Sequence, residues 1–384
     1  MSAISTIALG EIMASKIGSV DPSKFNDEVF DLYSIPAFDS RQPEVVKGSK
    51  IGSTKQIVQP GDVLLSKIVP HIRRTWVVGE DRGRRLIASG EWIVFRSEQI
   101  HPAYLRHVLV GDPFHAQFMC TVSGVGGSLL RARPAHVANI EIPLPTLTAQ
   151  RGIAEILDRA EVLRTKRRAA LAQLDTLIQA IFLDLFGDPV VNPKGWTVRK
   201  FGSVGTLDRG VSKHRPRNAP ELLGGQYPLV QTGEVTNCDG YIRAYHSTYS
   251  EVGLRQSKMW PAGTLCITIA ANIARTGILT FNACFPDSIV GFRSDEPATV
   301  EFVRTWLSFL QKRLEETAPE SAQKNINLAI LRNLDVPLPP LDLQREFARR
   351  IAAVDKLKAA HRASLAEMDA LFASLQHRAF RGKL

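Results

Sequence analysis

Cysteine is scarce in this chain of 384 residues: there are four, Cys120, Cys238, Cys266 and Cys284. They stand far apart, with no C-x-x-C pair and no clustered histidine, so neither a zinc site nor a disulfide framework is indicated. Four buried, reduced thiols are the expectation. Targeting signals are missing as well: after Met1-Ser2-Ala3-Ile4 there is no basic region followed by an apolar one, and nowhere do eighteen apolar residues run together. A soluble, cytoplasmic protein with no membrane partner is expected. Catalytic motifs are equally absent. No Asn-Pro-Pro-aromatic or Asp-Pro-Pro-Tyr tetrapeptide, of the sort with which amino-methyltransferases grip a flipped base, occurs. Gly124-Val125-Gly126-Gly127 is not G-x-G-x-x-G and carries no G-K-[ST], so it reads as a flexible loop and not a nucleotide cradle. Neither a Ser-His-Asp set nor a group of metal ligands stands out, so no catalytic residue, no metal and no cofactor is expected in this chain.

What is present is ordinary in proportion and unusual in arrangement. Hydrophobic content of 44% and charged content of 22% suit a folded domain protein, and the length suits two domains of about 150 residues with connecting helices. The formal net charge of +10 favours a polyanionic partner.

The arrangement is an internal repeat. Pro143-Leu144-Pro145 precedes Thr148 and Gln150-Arg151; Pro337-Leu338-Pro339 precedes Asp342 and Gln344-Arg345. The offset is constant (344 − 150 = 194) and carries Leu171, Leu174, Ile178 and Ile181 onto Leu365, Met368, Phe372 and Leu375. In the blocks before these segments the match continues with a different offset. Trp92-Ile93-Val94-Phe95-Arg96-Ser97-Glu98 corresponds to Ile289-Val290-Gly291-Phe292-Arg293-Ser294-Asp295 (292 − 95 = 197). The blocks tolerate insertions, which loops accept cheaply; the long segments do not, as befits helices packed along a seam.

Each block reads the same way. A short opening strand at Ile7–Ile12 or Val198–Val204 is followed by a variable region. Then a turn at Pro60-Gly61 or Pro261-Ala262-Gly263 feeds an apolar strand. A helix follows, with Tyr104, Leu105, Val108 and Leu109 on one apolar face and Phe302, Val303, Trp306, Leu307 and Leu310 on the other. Trp76, Trp260 and Trp306 are expected in the core.

Prolines bar helix as far as Pro145 and Pro340, so Thr148 and Asp342 are the expected N-caps of two long helices. Gly187 and Pro189 stop the first. Leu171, Leu174, Ile178, Ile181 and Leu185, and Leu365, Met368, Phe372, Leu375 and Ala379, step by three and four as a heptad seam. A helix of roughly 38 residues spans about 57 Å, and with one narrow seam it needs a partner, so antiparallel pairing of the two copies is expected.

Two variable blocks, each followed by a Pro-Leu-Pro…Gln-Arg helix, resemble the specificity subunit of type I restriction-modification systems over essentially the whole chain. Ile142 to Gln150, Val336 to Gln344, Phe182 to Gly187, and Gln323-Lys324-Asn325-Ile326-Asn327 carry the resemblance; the first block departs from the last of these with Leu129-Leu130-Arg131-Ala132-Arg133. It implies an α+β fold of two similar mixed α/β target-recognition domains, with two long helices forming an antiparallel coiled coil and an internal pseudo-two-fold. The expected division is 1–146 and 189–340 for the domains, 147–188 and 341–384 for the spacer helices. The resemblance further implies double-stranded DNA, two methyltransferase subunits and restriction subunits as partners. S-adenosylmethionine, ATP and Mg would then serve those partner subunits.

Phosphate and base contacts need Lys, Arg, Asn or Gln on loops of a rigid scaffold. The candidates are Lys67, Arg73, Arg74, Arg131 and Arg133 in the first block and Lys213, Arg215, Arg217, Asn272, Arg275, Gln323, Lys324 and Asn325 in the second. His71, Arg82, Arg84, Arg85 and His214 lie nearby and read equally well as surface residues. Gln150, Arg151, Gln344 and Arg345 are candidates for partner binding. Two other readings stay open from the residues alone. One is the recognition portion of a system whose methyltransferase is normally fused; the other is a coiled-coil scaffold with two protein-binding domains.

Overall fold

A computed structural model describes residues 5–15, 17–124, 130–270, 273–317 and 326–384. The chain forms two compact units, Met1–Arg168 with Ala363–Leu384, and Ala169–Arg362. Each unit thus holds one variable block together with part of both long helices.

In the first unit the Val63–Ser66 strand lies between Thr75–Val77 and Trp92–Phe95, antiparallel to both. Every residue of Val63–Ser66 and Trp92–Phe95 is buried, which is why both read as unbroken apolar runs. Gly61, at φ 86°, makes the turn that delivers the first of them. A second sheet runs in the order Ser19–Val20, Lys55–Ile57, Arg85–Ala88, Val29–Tyr33, Glu44–Lys47. Trp76 and Trp92 pack between the sheets with Tyr33 and Phe38. The Pro102–Val110 helix buries the four expected residues. Thr6–Ala8 pairs with Glu141–Pro143, so the Pro-Leu-Pro segment begins as one strand of an isolated ribbon, where proline is tolerated.

The second unit repeats that core. Leu265–Thr268 lies between Thr276–Leu279 and Ile289–Arg293, extended by Thr206–Arg209 and Tyr241–Ile242. Gly263 turns at φ 84°, the Pro297–Thr317 helix follows, and Thr197–Lys200 pairs with Asp335–Leu338. A four-stranded sheet, Ser247–Tyr249, Leu223–Leu229, Ala283–Cys284, Met259–Trp260, takes the place of the first unit's five-stranded one. Trp76, Trp260 and Trp306 are buried as expected.

The long helices are Leu147–Phe186 and Leu341–Ala379. Both start earlier than the expected caps. Thr146 Oγ1 accepts from Ala149 N at 3.3 Å, and Gln344 N already bonds to Pro340 O at 3.2 Å, leaving Thr148 and Asp342 inside the first turn. Gly187 takes φ 76° as the stop. Within each unit the helices run antiparallel. In the first, Arg164 pairs with Asp369 at 2.5 Å and stacks on Phe372. In the second, Asp175 meets Lys358 at 2.6 Å, and Phe182 and Phe186 close on Phe347. The first helix buries Ile153, Ala154 and Leu157 in the first unit and Ile178, Phe182 and Phe186 in the second. Of the expected seam Ile178 is buried and Leu171, Leu174, Ile181 and Leu185 are partly covered, while Phe182 and Phe186 lie outside it. An 18-residue window of this helix, at mean hydropathy 1.4, is long and apolar enough by composition to cross a membrane. Its phenylalanines are instead built into the core of the second unit.

Two of the four cysteines depart from the expectation. Cys266 and Cys284 are buried in the sheets, but Cys238 is half-buried and Cys120 is exposed at the end of a helix.

Candidate nucleic-acid interface

Among the described residues, Lys67, Arg131 and Arg133 in the first unit and Lys213, Arg215, Arg217 and Arg275 in the second lie at one edge of their unit, where the central strand of the repeated core ends. In the first unit, Lys67 leaves that strand with its N–H on Glu91 O at 2.9 Å and its carbonyl accepting from Ala132 N at 2.8 Å. This draws the Leu130–Arg133 segment against the loop. Lys67 is half-buried, and Arg131 and Arg133 project into solvent. Arg131 pairs with Glu91 at 3.0 Å, and Arg133 Nε donates to Ser123 Oγ at 2.8 Å. Val69 in the same loop is held at φ 48°, a strained setting for a β-branched residue of the kind found at functional loops.

The second unit builds the same junction. Ile269 follows the central strand with its N–H on Ser288 O at 3.0 Å and its carbonyl accepting from Ile326 N at 3.0 Å. Ile326 is therefore the counterpart of Ala132, and the offset of 194 (326 − 132 = 194) reaches back into this segment. Arg275 is exposed beside it, with its N–H on Thr268 Oγ1 at 3.0 Å, and Ala274 adopts φ 59°. Asn272, Gln323, Lys324 and Asn325 lie outside the described residues.

A basic segment without counterpart in the first unit comes to the same edge. Gln256 Oε1 accepts from the N–H groups of Lys213 and His214 at 2.7 and 3.1 Å. Arg215 donates to Ser212 O at 2.7 Å and reaches Asp287 at 3.4 Å, and Arg217 also pairs with Asp287. Lys213, Arg215 and Arg217 are exposed. Asp287 stands two residues before the Ile289–Arg293 strand and Glu91 one residue before Trp92–Phe95, so that Glu91 aligns with Ser288 and Asp287 lies one position earlier. Sequence reading passed over both carboxylates; their place before the recurring Phe-Arg-Ser strand was the available signal.

Other candidates are used inside the fold. Arg73 is fastened to Asp112 at 2.6 Å and to Val110 O at 3.0 Å, at the C-terminal end of a helix. Arg74 is half-buried. Arg84 and Arg85 tie the five-stranded sheet together through Asp31 and Glu28.

The expectation that Gln150 and Gln344 face a partner is corrected by their burial. Gln150 is 0% and Gln344 3% exposed. Gln150 Nε2 donates to Pro145 O at 2.9 Å while its Oε1 accepts from His101 N at 2.7 Å. Gln344 does the same with Pro339 O at 2.8 Å and Thr299 Oγ1 at 2.7 Å. Each latches a long helix to the start of its block's own helix. Arg151 and Arg345 are both exposed, and Arg345 pairs with Glu296 at 3.1 Å and Asp342 at 3.6 Å.

One cluster elsewhere has the composition of a metal site: His107, Asp158 and Glu161. The Arg106 guanidinium fills it, at 2.5 Å from Asp158 and 3.1 Å from Glu161, so the carboxylates already have their cation. Burial, and then Arg106, hold the His107 imidazole below its ordinary range, against the pull of Asp158.

Residues 193–368 match a family model described as the type I restriction modification DNA specificity domain. The chain is 24% identical over 335 residues to the putative type I restriction enzyme MjaX specificity subunit of Methanocaldococcus jannaschii, covering 82% of this chain and 76% of that one. It is 24% identical over 279 residues to the EcoBI specificity subunit of Escherichia coli, covering 63% of this chain and spanning 58% of that relative's length. A solved type I restriction-modification S subunit from M. genitalium shares the fold over 98% of this chain and 96% of its own, with a TM-score of 0.59 at 11% identity.

Proposed function

We propose that the chain is a non-catalytic DNA-specificity subunit of the type I restriction-modification family, a reading supported by the matched domain model and by its relatives, and that its parts divide the labour. The two variable blocks, residues 1–146 and 189–340, are target-recognition domains, and each reads one half of a bipartite duplex sequence. The long helices, within 147–188 and 341–384, fix the distance between the halves and dock two methyltransferase subunits. Restriction subunits join the same assembly. Methyl transfer from S-adenosylmethionine and ATP- and Mg-dependent cleavage belong to those partners, and the complex works in the cytoplasm.

One observation carries this reading: the basic loops gather at the same edge of the same three-stranded core in both units, although the surrounding sheets differ. A shared scaffold with unlike loops is what two unlike half-sites require. Phosphates are contacted by Lys67, Arg131, Arg133, Lys213, Arg215, Arg217 and Arg275, and the adjoining Asn272 and Gln323 to Asn325 segments contribute base readout. Arg151 and Arg345, at the starts of the long helices, mark surfaces for the methyltransferase subunits.

The test is to produce the chain with its modification subunits and map methylated bases across a genome. Two short half-sites with a fixed gap are expected; a continuous motif would sink the proposal.

A further inference from the structure

Glu91 and Asp287 have no part in a simple picture of basic loops meeting phosphates. The two carboxylates instead pair with exposed arginines of the basic cluster in their own units. Asp287 reaches both Arg215 and Arg217, and its carbonyl accepts from Arg209 Nε. Glu91 holds Arg131. The arginines remain largely open to solvent, Arg131 at 63%, Arg215 at 55% and Arg217 at 46%. The carboxylates are more enclosed, Glu91 at 31% and Asp287 at 27%. Lys67 N holds the Glu91 carbonyl, and Asp287 is tied by Arg209 Nε on its own carbonyl and by Ile269 N on the carbonyl of the neighbouring Ser288. They cannot swing away with a mobile loop.

Building on the DNA reading above, we infer that Glu91 and Asp287 are specificity-determining residues that act through the arginines, as fixed intramolecular competitors for the phosphate backbone. An arginine that leaves its carboxylate for a phosphate gains one ion pair and loses another. Backbone contact alone therefore yields little net attraction, and the carboxylate left behind repels the strand. A duplex that offers base contacts as well can offset this; a duplex of arbitrary sequence cannot. The devices arise in two units whose clusters are otherwise built from different segments, Arg131 from one side and Arg215 with Arg217 from another. That repetition argues for a shared task over a local accident.

The experiment measures fluorescence anisotropy of the full chain, and of Asp287→Asn and Glu91→Gln variants, with a 30-base-pair duplex of mixed sequence over a range of NaCl concentrations. A duplex carrying the motif mapped by methylation serves for comparison. Each variant is isosteric and removes one negative charge. The expected result is mixed-sequence binding tightened by about 3- to 10-fold at low salt, with a log–log salt slope steeper by up to about 0.9. Affinity for the mapped duplex should rise less, so the ratio between the two falls. Mixed-sequence binding that stays unchanged or weakens in both variants, at an unaltered thermal midpoint, overturns the inference while leaving the DNA reading in place. A wild-type chain that binds neither duplex in a salt-dependent way overturns the DNA reading, and this inference with it.

Discussion

Glutamine is a costly residue to bury, and Gln150 and Gln344 repay that cost with hydrogen bonds to groups that would otherwise have no partner. Gln344→Ala leaves Pro339 O and the buried Thr299 hydroxyl unsatisfied. The expected loss is about 1–3 kcal/mol of stability, read by urea denaturation; a loss as small as that of an exposed substitution would contradict the latch. His107 supplies a second prediction at this scale. Its folded-state pKa lies below the ordinary 6.5 because burial disfavours the imidazolium. The folded form therefore binds fewer protons than the unfolded one in that window. Stability is complete above about pH 6.5 and declines as pH falls through it toward the folded value. The thermal midpoint should drop between pH 7.5 and 5, and His107→Gln should flatten the profile.

At the scale of elements, the same offset that aligned the sequence carries Arg164 onto Lys358 and Asp175 onto Asp369 (358 − 164 = 369 − 175 = 194). The two cross-helix ion pairs are thus one pair written twice, once in each unit. Lys358 is 3% exposed and shared between Asp175 and Asp239 at 2.6 and 3.1 Å. Its partners are 58% and 42% exposed, and this sets an asymmetry. Lys358→Met strands only carboxylates that water still reaches, so the cost should be about 1 kcal/mol or less. Removing both aspartates strands a buried ammonium and should cost about 3 kcal/mol or more, and equilibrium denaturation of the two variants decides the order.

This pairing also marks where sequence reading succeeds and where it stops. Periodicity locates the helices and the buried faces of Pro102–Val110 and Pro297–Thr317, because a stripe of apolar residues has few other uses. It places the seam at Leu171, Leu174, Ile178, Ile181 and Leu185, which are buried or partly covered, but not Phe182 and Phe186 beside it, since a helix that meets both its partner helix and the Pro297–Thr317 helix carries two overlapping stripes. The basic loops were legible as clusters. Glu91 and Asp287 were not, because an acidic residue next to arginines in space need not be near them in sequence.

For the whole molecule, if the helices set the distance between half-sites as proposed, the duplicated ion pairs bear on how that distance could be changed. Four residues inserted after Arg168 add about 6 Å of helix, and they lie between Arg164 and Asp175 along the first helix. Unless the second helix grows by the same amount between Lys358 and Asp369, the seam cannot keep both pairs and one must break. A single insertion should therefore lower the thermal midpoint and impair assembly with the methyltransferase subunits. Paired insertions after Arg168 and Arg362 should restore stability and lengthen the gap between half-sites by about 2 base pairs, at 3.4 Å each along the duplex. Both half-sites should stay as they were, because no recognition loop has changed. Methylation mapping of the single and paired variants separates the outcomes: a changed base within either half-site would mean that the helices read DNA themselves, and an unchanged gap in an assembled paired variant would mean that they do not set the distance.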